Sequence, residues 1–404
     1  ICVFSAHFGG GYGTGHSIKK EVDELVSRGH EVIVVHSERD IKQYTNSKVK
    51  YYNFQYSKIP VFGILILKNQ LDKIFKQVVD MGIDIFYIQT LEFGLVNKNI
   101  FTNHPLVYFA RSTMLGVKHN KPREYWLDTL RRVFIVPLLV FLEKKCIKYS
   151  TSVVVKSEII RQELNELYKA PFEKIQVIRG GVDLDDFKTI TDLEREDLRK
   201  KLSIKNNDKI ILFAGRIAPV KGLYYLLIAF ANLIKTQPNI KLVIAGRSMM
   251  SHYNKVIDKL VARHNLDDSV IFIGYIPQTE MYKYYNASDI VVAPSTYEPF
   301  GMVNIQAVAA NRPLICTDVV GSVEVIKDYP SLKIIPPFNT KKVEEALAEL
   351  LVANVNSGSF NTKKLLESIS WKEMVDHLEK LFQNQLDDLA VGLVALVDGN
   401  DKEI

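Results

Sequence analysis

Two cations that lie five residues apart are well placed to bind an anion. Arg216 and Lys221 belong to the segment Gly215-Arg-Ile-Ala-Pro-Val-Lys-Gly222, which follows an apolar strand-like run and precedes a helical one. A planar guanidinium and a compact ammonium on one strand-to-helix loop can converge on a single diphosphate. The segment does not match the phosphate loop GxxxxGK[ST]. The alternative interpretation is a pair of ordinary surface cations.

A carboxylate lies in a second loop of the same kind. Glu298 belongs to Pro294-Ser-Thr-Tyr-Glu-Pro-Phe-Gly301, between an apolar run and a helical segment that begins near Met302. Its two oxygens can accept hydrogen bonds from sugar hydroxyls, while the backbone amides around Phe300 and Gly301 face an anion. The alternative is an ordinary acid at a helix N-terminus.

A glycine-rich stretch follows the first strand-like run. Five glycines occupy the seven positions 9–15, so backbone amides can approach a ligand closely there. The dinucleotide fingerprint GxGxxG is not met, because Gly11-Tyr-Gly13 requires a glycine at the position of His16. Two alternatives remain: a nicotinamide site in which Glu38 binds the ribose, and a loop that only reverses the chain.

Short apolar runs alternate with helical segments on both sides of a charged stretch, which is typical of parallel sheets covered by helices. Such doubly wound sheets bind ligands at the carboxyl ends of their strands, and two of them can enclose a cleft. We therefore predict an acceptor-side domain at 1–182, a linker at 183–208, a second domain at 209–370, a helix at 371–384 that returns to the first domain, and a tail of uncertain order at 385–404.

Composition narrows the class of protein. The chain has 404 residues, 47% of them hydrophobic and 24% charged, which excludes a disordered or collagen-like protein. Three widely spaced cysteines form neither a disulfide framework nor a CxxC metal pair, which favours a cytoplasmic location. No apolar run approaches the roughly 20 residues of a membrane-spanning helix. Acidic and basic residues are mixed, so we expect no nucleic-acid partner.

The positive charge of the chain lies in its front half. Residues 1–190 hold 27 Lys and Arg against 20 Asp and Glu, a net charge of +7, whereas residues 191–404 carry −1. Two apolar runs in the front half, 59–67 and 133–142, are flanked by cations. Burial in the core is one interpretation. The other is a surface that rests peripherally on the anionic inner face of a membrane.

Taken together and in order, these motifs resemble those of the retaining glycosyltransferases of family 4. The resemblance rests on Gly-Arg-x4-Lys-Gly, on Glu-Pro-Phe-Gly, on the segment 179–187 (Arg-Gly-Gly-Val-Asp-Leu-Asp-Asp-Phe), and on a glycine-rich opening followed by Arg28-Gly-His-Glu-Val32. It extends from residue 1 to about residue 383. It implies the α/β GT-B fold, in which two doubly wound Rossmann-like domains face a central cleft.

The resemblance also implies roles for individual residues. Arg216 and Lys221 would neutralise the diphosphate of a nucleotide-sugar donor such as a UDP- or GDP-sugar, and Glu298 would hold hydroxyls of the donor sugar. The acceptor would be a glycan, a lipid-linked molecule or another hydroxyl compound bound to the first domain. No metal or other cofactor is implied. Further contacts with the donor fall on Gly10, Gly11, Gly215, Gly246, Tyr275, Phe300, Gly301, Met302 and Gln306.

Three positions depart from the family pattern. Gln306 replaces the second glutamate of Glu-x7-Glu, which contacts the nucleotide ribose in the family. Arg111 replaces a histidine that lies near the reacting carbon; arginine cannot serve as a base, so it would stabilise charge or hold the acceptor. Gly246-Arg-Ser248 replaces the usual Gly-x-Gly.

These departures leave other interpretations open. One is a GT-B protein that binds a nucleotide or glycan as a non-catalytic partner subunit. A two-domain oxidoreductase is another, disfavoured by the missing fingerprint. Asp183-Leu-Asp185 spells the DxD pattern that binds a metal in a different glycosyltransferase fold, but here it falls in the linker.

Overall fold

The computed structural model describes residues 1–9, 13–37, 45–56, 62–120, 129–248, 250–353 and 360–400, with the side chains of 62, 129–134, 185 and 392–400 left aside. Gly10, Gly11 and Glu38, which the sequence analysis singled out, lie outside these residues. Part of the apolar run 59–67 does so as well.

In the described residues, the first domain is built on a sheet of seven parallel strands in the order β3-β2-β1-β4-β5-β6-β7. The central strands are short and completely buried, which suits a sheet that is covered on both faces. The strands are β1 (Cys2–Phe4), β2 (Val32–His36), β3 (Val49–Asn53), β4 (Phe86–Ile88), β5 (Leu106–Phe109), β6 (Ser152–Val155) and β7 (Ile175–Val177).

Helices cover both faces of this sheet. Ser157 precedes the first residue of α5, and its hydroxyl caps the helix by accepting a hydrogen bond from the amide of Ile160. α4 continues through Pro137. The helices are α1 (Gly13–Ser27), α2 (Phe62–Val79), α3 (Met114–His119), α4 (Thr129–Tyr149) and α5 (Glu158–Tyr168).

The second domain repeats this architecture with six parallel strands in the order β10-β9-β8-β11-β12-β13. The order reverses between β8 and β11, and such a reversal marks the place where open α/β sheets bind ligands. The strands are β8 (Lys209–Ala214), β9 (Ile240–Ala245), β10 (Val270–Gly274), β11 (Ile290–Ala293), β12 (Leu314–Thr317) and β13 (Leu332–Ile335).

The remaining helices join the domains and cover the second sheet. The linker contains one regular helix, α6, which begins with a capping box between Thr191 and Glu194. The helices are α6 (Asp192–Lys201), α7 (Leu223–Leu233), α8 (Ser251–Arg263), α9 (Gln278–Ala287), α10 (Met302–Ala309), α11 (Val323–Ile326), α12 (Thr340–Val352), α13 (Thr362–Ser368) and α14 (Trp371–Asn400).

The last helix differs from the expectation in length. α14 continues from Trp371 to Asn400, through most of the stretch that we expected to be a separate tail from 385 onwards. Its first half returns to the first domain, where Met374 and Leu378 are buried against Ile18 of α1. Apolar residues recur at helical spacing as far as the run 389–397, so the helical pattern extends further than the sequence analysis allowed.

Two doubly wound parallel sheets therefore confirm the predicted fold class. β3 was not expected from the sequence. For the run 59–67 we left open whether it is buried in the core or rests on a membrane. From residue 62 onwards this run belongs to α2.

Candidate active site between the two domains

The loops that follow β8 and β11 bring a cation and a carboxylate together. The ammonium of Lys221 donates a hydrogen bond to Oε2 of Glu298 and forms an ion pair with it. The two side chains are 20% and 18% exposed. With Ser295 and Gly301 they line a pocket of about 280 Å³. Two residues that lie 77 positions apart in the chain are thus adjacent at the carboxyl edge of the second sheet.

Glycines make the walls of this pocket possible. Gly222 has a φ of +73°, and a Cβ there would lie 1.8 Å from the carbonyl oxygen of Pro294. Gly301, the residue before α10, has a φ of +95°, and a Cβ there would lie 2.4 Å from Val320. A side chain at Gly222 would push the β8 loop away from the β11 loop, and one at Gly301 would push the β11 loop away from the segment after β12. Both glycines therefore help to keep Glu298 in its place beside Lys221.

Arg216 lies in the same β8 loop and is exposed. Within the described part of the chain its guanidinium forms no ion pair. Gly215, Gly246 and Tyr275 lie at or just beyond the ends of the neighbouring strands β8, β9 and β10. The amide of Gly215 donates to Ala245, and that of Gly246 donates to Gly274. The ring of Tyr275 packs against the guanidinium of Arg247, 5.3 Å away. The residues that the resemblance assigns to donor binding here thus lie at the ends of three adjacent strands, along the carboxyl edge of the second sheet.

The loop from 294 to 301 is held by both domains. The hydroxyl of Tyr297 accepts a hydrogen bond from the amide of Thr113 at 3.0 Å and donates to Glu163 of α5 at 2.9 Å. One residue beyond Glu298, the carbonyl of Pro299 accepts from the hydroxyl of Ser157 at 2.8 Å. Contacts with the first domain therefore flank Glu298 on both sides, so a relative movement of the domains would displace it.

Gln306 lies apart from this pocket. It is 8% exposed and its Oε1 accepts a hydrogen bond from the hydroxyl of Tyr285 at 2.7 Å. It lines a second pocket, of about 240 Å³, together with Asp186 and Phe187 of the linker. Met302 and Phe300, by contrast, adjoin Gly301 at the start of α10, and Phe300 is almost completely buried.

Arg111 follows β5 and belongs to a charge network that the sequence analysis missed. Its Nη2 donates to Oε1 of Glu21 at 2.6 Å and its Nε donates to Gln89 at 3.0 Å. Glu21 also accepts from Gln89 at 2.7 Å and from the hydroxyl of Tyr87 at 3.2 Å. The guanidinium lies 4.6 Å from the ring centroid of Phe109. Arg111 is therefore fixed in orientation, and its charge is balanced by a carboxylate.

A pattern in the sequence could have revealed Glu21. Ile18, Glu21, Val22 and Leu25 follow the spacing of one helical face, and all four are buried on α1. An acid on an apolar stripe requires a buried partner. Arg111, 90 residues further along the chain, supplies it.

Asp183, the first residue of the DxD pattern, forms an ion pair with Lys20 of α1 at 2.6 Å. The side chain of Asp185 lies outside the described part of the structure. Within that part, three or more His, Cys, Asp or Glu side chains nowhere lie close enough together to hold a metal ion.

Two buried acids hold the segment that follows Arg111. Glu143 of α4 accepts from the amide of Met114 at 2.9 Å and from the hydroxyl of Tyr168. Burial raises the pKa of Glu143 to about 7, although these two hydrogen bonds act in the opposite direction. Burial likewise raises the pKa of Glu163, which accepts from the hydroxyls of Thr113 and Tyr297. The position of this segment therefore depends on two carboxyl groups whose pKa values are raised.

The Glu143→Gln variant is expected to be more stable than the wild-type protein at pH 8. The folded pKa of about 7 exceeds the ordinary value of 4.5, so the folded wild type retains a proton that the unfolded chain releases. Wild-type stability therefore falls as pH rises from about 4.5 to about 7, by ~3 kcal/mol, and stays lower above that range. Urea unfolding across this range should show a flatter profile for Glu143→Gln. Glu166→Gln, on the exposed side of α5, is the control, and an unchanged profile in Glu143→Gln would contradict the assignment.

Comparisons with known proteins agree with this architecture. The family model "Glycosyltransferase Family 4" matches residues 12–186, and "Glycosyl transferases group 1" matches residues 194–364. An uncharacterized glycosyltransferase of Methanocaldococcus jannaschii is 27% identical over 312 residues, 75% of this chain and 76% of that protein. Alpha-monoglucosyldiacylglycerol synthase of Streptococcus pneumoniae is 28% identical over 313 residues, 75% and 67% of the two chains.

The fold as a whole is also similar to solved structures. Sucrose-phosphate synthase of Thermosynechococcus elongatus superimposes with a TM-score of 0.76, covering 96% of this chain and 99% of that one at 20% sequence identity. At this identity the likeness concerns the fold alone.

Proposed function

Since the chain belongs to the group 1 glycosyltransferases and has their GT-B fold, we propose that it is a retaining enzyme that uses the pocket of Lys221 and Glu298 to bind a nucleotide-sugar donor. Membership of this enzyme family leaves the oxidoreductase and non-catalytic interpretations without support. The donor would lie against the second domain and a hydroxyl acceptor against the first. No metal is required in this proposal.

One observation carries the proposal. An ammonium and a carboxylate line one pocket at the point where the strand order reverses, and an exposed guanidinium lies on the same loop as the ammonium. Arg216 and Lys221 match the charge of a diphosphate, and Glu298 can accept hydrogen bonds from two sugar hydroxyls. In the structure Glu298 neutralises Lys221. A bound diphosphate would take over that ammonium and leave the carboxylate to the sugar.

The proposed reaction replaces one bond to the sugar carbon by another on the same face. The bond between that carbon and the β-phosphate oxygen breaks as the acceptor oxygen forms a bond to the carbon. The hydroxyl proton of the acceptor passes to the leaving phosphate oxygen, so no protein base is needed. Arg216, Lys221 and the amides at the start of α10 stabilise the charge that develops on the phosphate. The domain contacts around Tyr297 limit the access of water, which otherwise hydrolyses the donor.

A thermal-shift screen of nucleoside diphosphates tests the donor site. The matching nucleotide is expected to raise the unfolding temperature, because a ligand at 100 times its Kd stabilises the folded state by about 2.7 kcal/mol. The matching sugar nucleotide should then release its nucleoside diphosphate when an acceptor mixture is added. Lys221→Ala serves as the control and should lose most of the shift. A set of diphosphates that all leave the unfolding temperature unchanged would contradict the proposed donor site.

The acceptor side of the proposal rests on exposed apolar side chains. Leu65 and Ile66 of α2 are 57% and 43% exposed, and Phe141 of α4 is 58% exposed beside the cations Lys144 and Lys145. None of the described helices is long and apolar enough to cross a membrane. A relative is named for a glucosylated diacylglycerol. We infer that the first domain rests on an anionic membrane surface and takes a lipid-linked or other membrane-held acceptor.

Binding to vesicles tests this inference. The protein is expected to co-sediment with vesicles that contain phosphatidylglycerol at low salt and to dissociate as salt increases, because surface cations are screened. Leu65→Glu and Phe141→Glu should each weaken binding. Leu193→Glu is the matched control, since Leu193 is 67% exposed on the linker helix. Equal binding by all three variants would contradict the membrane surface, and the donor site would be unaffected.

A further inference from the structure

Lys156 occupies an unusual place at the junction of the two domains. It follows β6 directly and is half-buried. Its ammonium donates one hydrogen bond, to the carbonyl oxygen of Gly180 at 3.0 Å. It also lies 5.9 Å from the ring centroids of Phe109 in the first domain and Phe300 in the second. Within the described residues no carboxylate forms an ion pair with it. A cation that is partly withdrawn from water therefore has two aromatic rings near it but, among the described residues, no counter-ion.

Nearby charges do not supply that counter-ion. The guanidinium of Arg111 also lies near the Phe109 ring, 4.6 Å from its centroid, but it is a cation and Glu21 already balances it. Glu324 of the second domain lies near the start of α5, but its carboxylate accepts from the amide of Glu158 at 2.7 Å and from Arg179 at 2.7 Å. Neither carboxylate is therefore available to Lys156, whose ammonium has no ion pair among the described residues.

We propose that Lys156 binds an oxyanion of a substrate, a phosphate group held between the first domain and the loop of Phe300. This inference rests on the proposed function for the identity of the substrate. The phosphate has two possible sources. It belongs to the donor diphosphate, which would lie against Phe300, or to a phosphorylated acceptor that lies against the first domain.

The protonation of Lys156 is consistent with this role. Burial, with a smaller contribution from Arg111, lowers the pKa of Lys156 to about 8, and Glu21 acts in the opposite direction. The ammonium is thus mostly charged at neutral pH and loses its charge as pH rises through about 8. A lowered pKa also means that the charged form destabilises the folded protein below that pH. If the side chain at position 156 only filled space, an apolar residue there would make the folded protein more stable.

Sulfate is a suitable probe because its charge stays constant over the range of interest. The unfolding temperature is measured against sulfate concentration for wild type, Lys156→Met and Lys48→Met, which removes one exposed charge from the same domain. Lys156→Met is expected to be more stable than wild type without sulfate at neutral pH and to bind sulfate about tenfold less tightly. The wild-type affinity should fall as pH rises through about 8. Lys156→Met should lack that pH dependence.

Saturation with the nucleoside diphosphate chosen by the screen separates the two sources. If the Lys156-dependent response to sulfate disappears, the phosphate is that of the donor. If the response persists, the site takes a phosphorylated acceptor. Lys221→Ala shows how much of the sulfate response belongs to the donor pocket instead.

The proposal is overturned if Lys156→Met responds to sulfate as wild type and Lys48→Met do. Failure of the proposed function has a different signature: no nucleoside diphosphate binds, while the sulfate titration of Lys156 is still measurable.

Discussion

Replacing Lys221 by Ala is expected to lower kcat by about 10²–10³-fold, the effect typical of removing one preorganised donor from a place where negative charge develops. In the proposed reaction the leaving phosphate gains charge as its bond to the sugar breaks. The ammonium of Lys221 is only 20% exposed, so it acts in a medium of lower dielectric constant than water. Steady-state kinetics with the preferred sugar nucleotide measures the loss. Turnover within a few-fold of wild type would contradict the assignment.

The partner of Lys221 provides a second measurement on the same pocket. Glu298→Gln keeps the shape of the side chain but weakens its hydrogen bonds to sugar hydroxyls, so it too should reduce turnover. Because the two side chains bind each other, the double variant is expected to lose less than the product of the single losses. Asp183→Asn is the control. It breaks an ion pair with Lys20 that is about one-third exposed, and turnover should stay close to wild type.

Sequence alone predicts those site residues that lie in loops joining a strand to the helix that follows it. Arg216, Lys221 and Glu298 each follow an apolar strand and precede a helix. Parallel strands present their carboxyl ends at one edge, so residues at these positions must converge even when they are far apart in the chain. This explains why Lys221 and Glu298 meet, although no local pattern links them. The role of each residue in binding remains a prediction.

The part that sequence reasoning missed consists of contacts between elements that share no motif. Tyr297 directly precedes Glu298, yet its partners Thr113 and Glu163 belong to the other domain. Lys156 follows a strand, as the predicted residues do. It is not part of a motif, however, so nothing in the sequence indicates that it binds a ligand. Only the packing of Phe109 and Phe300 around it makes its charge conspicuous.

The position of Gln306 illustrates a different limit. Its place in the Glu-x7-Glu pattern associates it with Glu298, which precedes α10, while Gln306 lies in the middle of that helix. The side chain turns instead toward Tyr285 of α9, and it lines a pocket shared with the linker. A sequence pattern fixes the spacing along a helix, but the neighbouring elements determine which cavity a side chain enters.

Removing the charge of Arg111 is expected to have the second large effect, on stability as well as on turnover. Glu21 is 1% exposed, and in Arg111→Met its carboxylate would remain buried without a cation. Breaking a buried ion pair in this way destabilises proteins by about 3–5 kcal/mol. Urea unfolding should show a loss of this size. A loss of turnover in this variant alone would not establish that Arg111 contacts a substrate, because the loop after β5 would also be disturbed.

The double variant Glu21→Gln with Arg111→Met separates the two effects. Gln at position 21 keeps the size of the side chain and can still accept hydrogen bonds from Gln89 and Tyr87, while no charge is left unpaired. Stability is therefore expected to return to within about 1–2 kcal/mol of wild type, since replacing both members of a buried ion pair is often nearly neutral. Turnover should stay low if Arg111 stabilises charge or holds the acceptor in the cleft. Recovery of turnover together with stability would show instead that the ion pair only supports the fold.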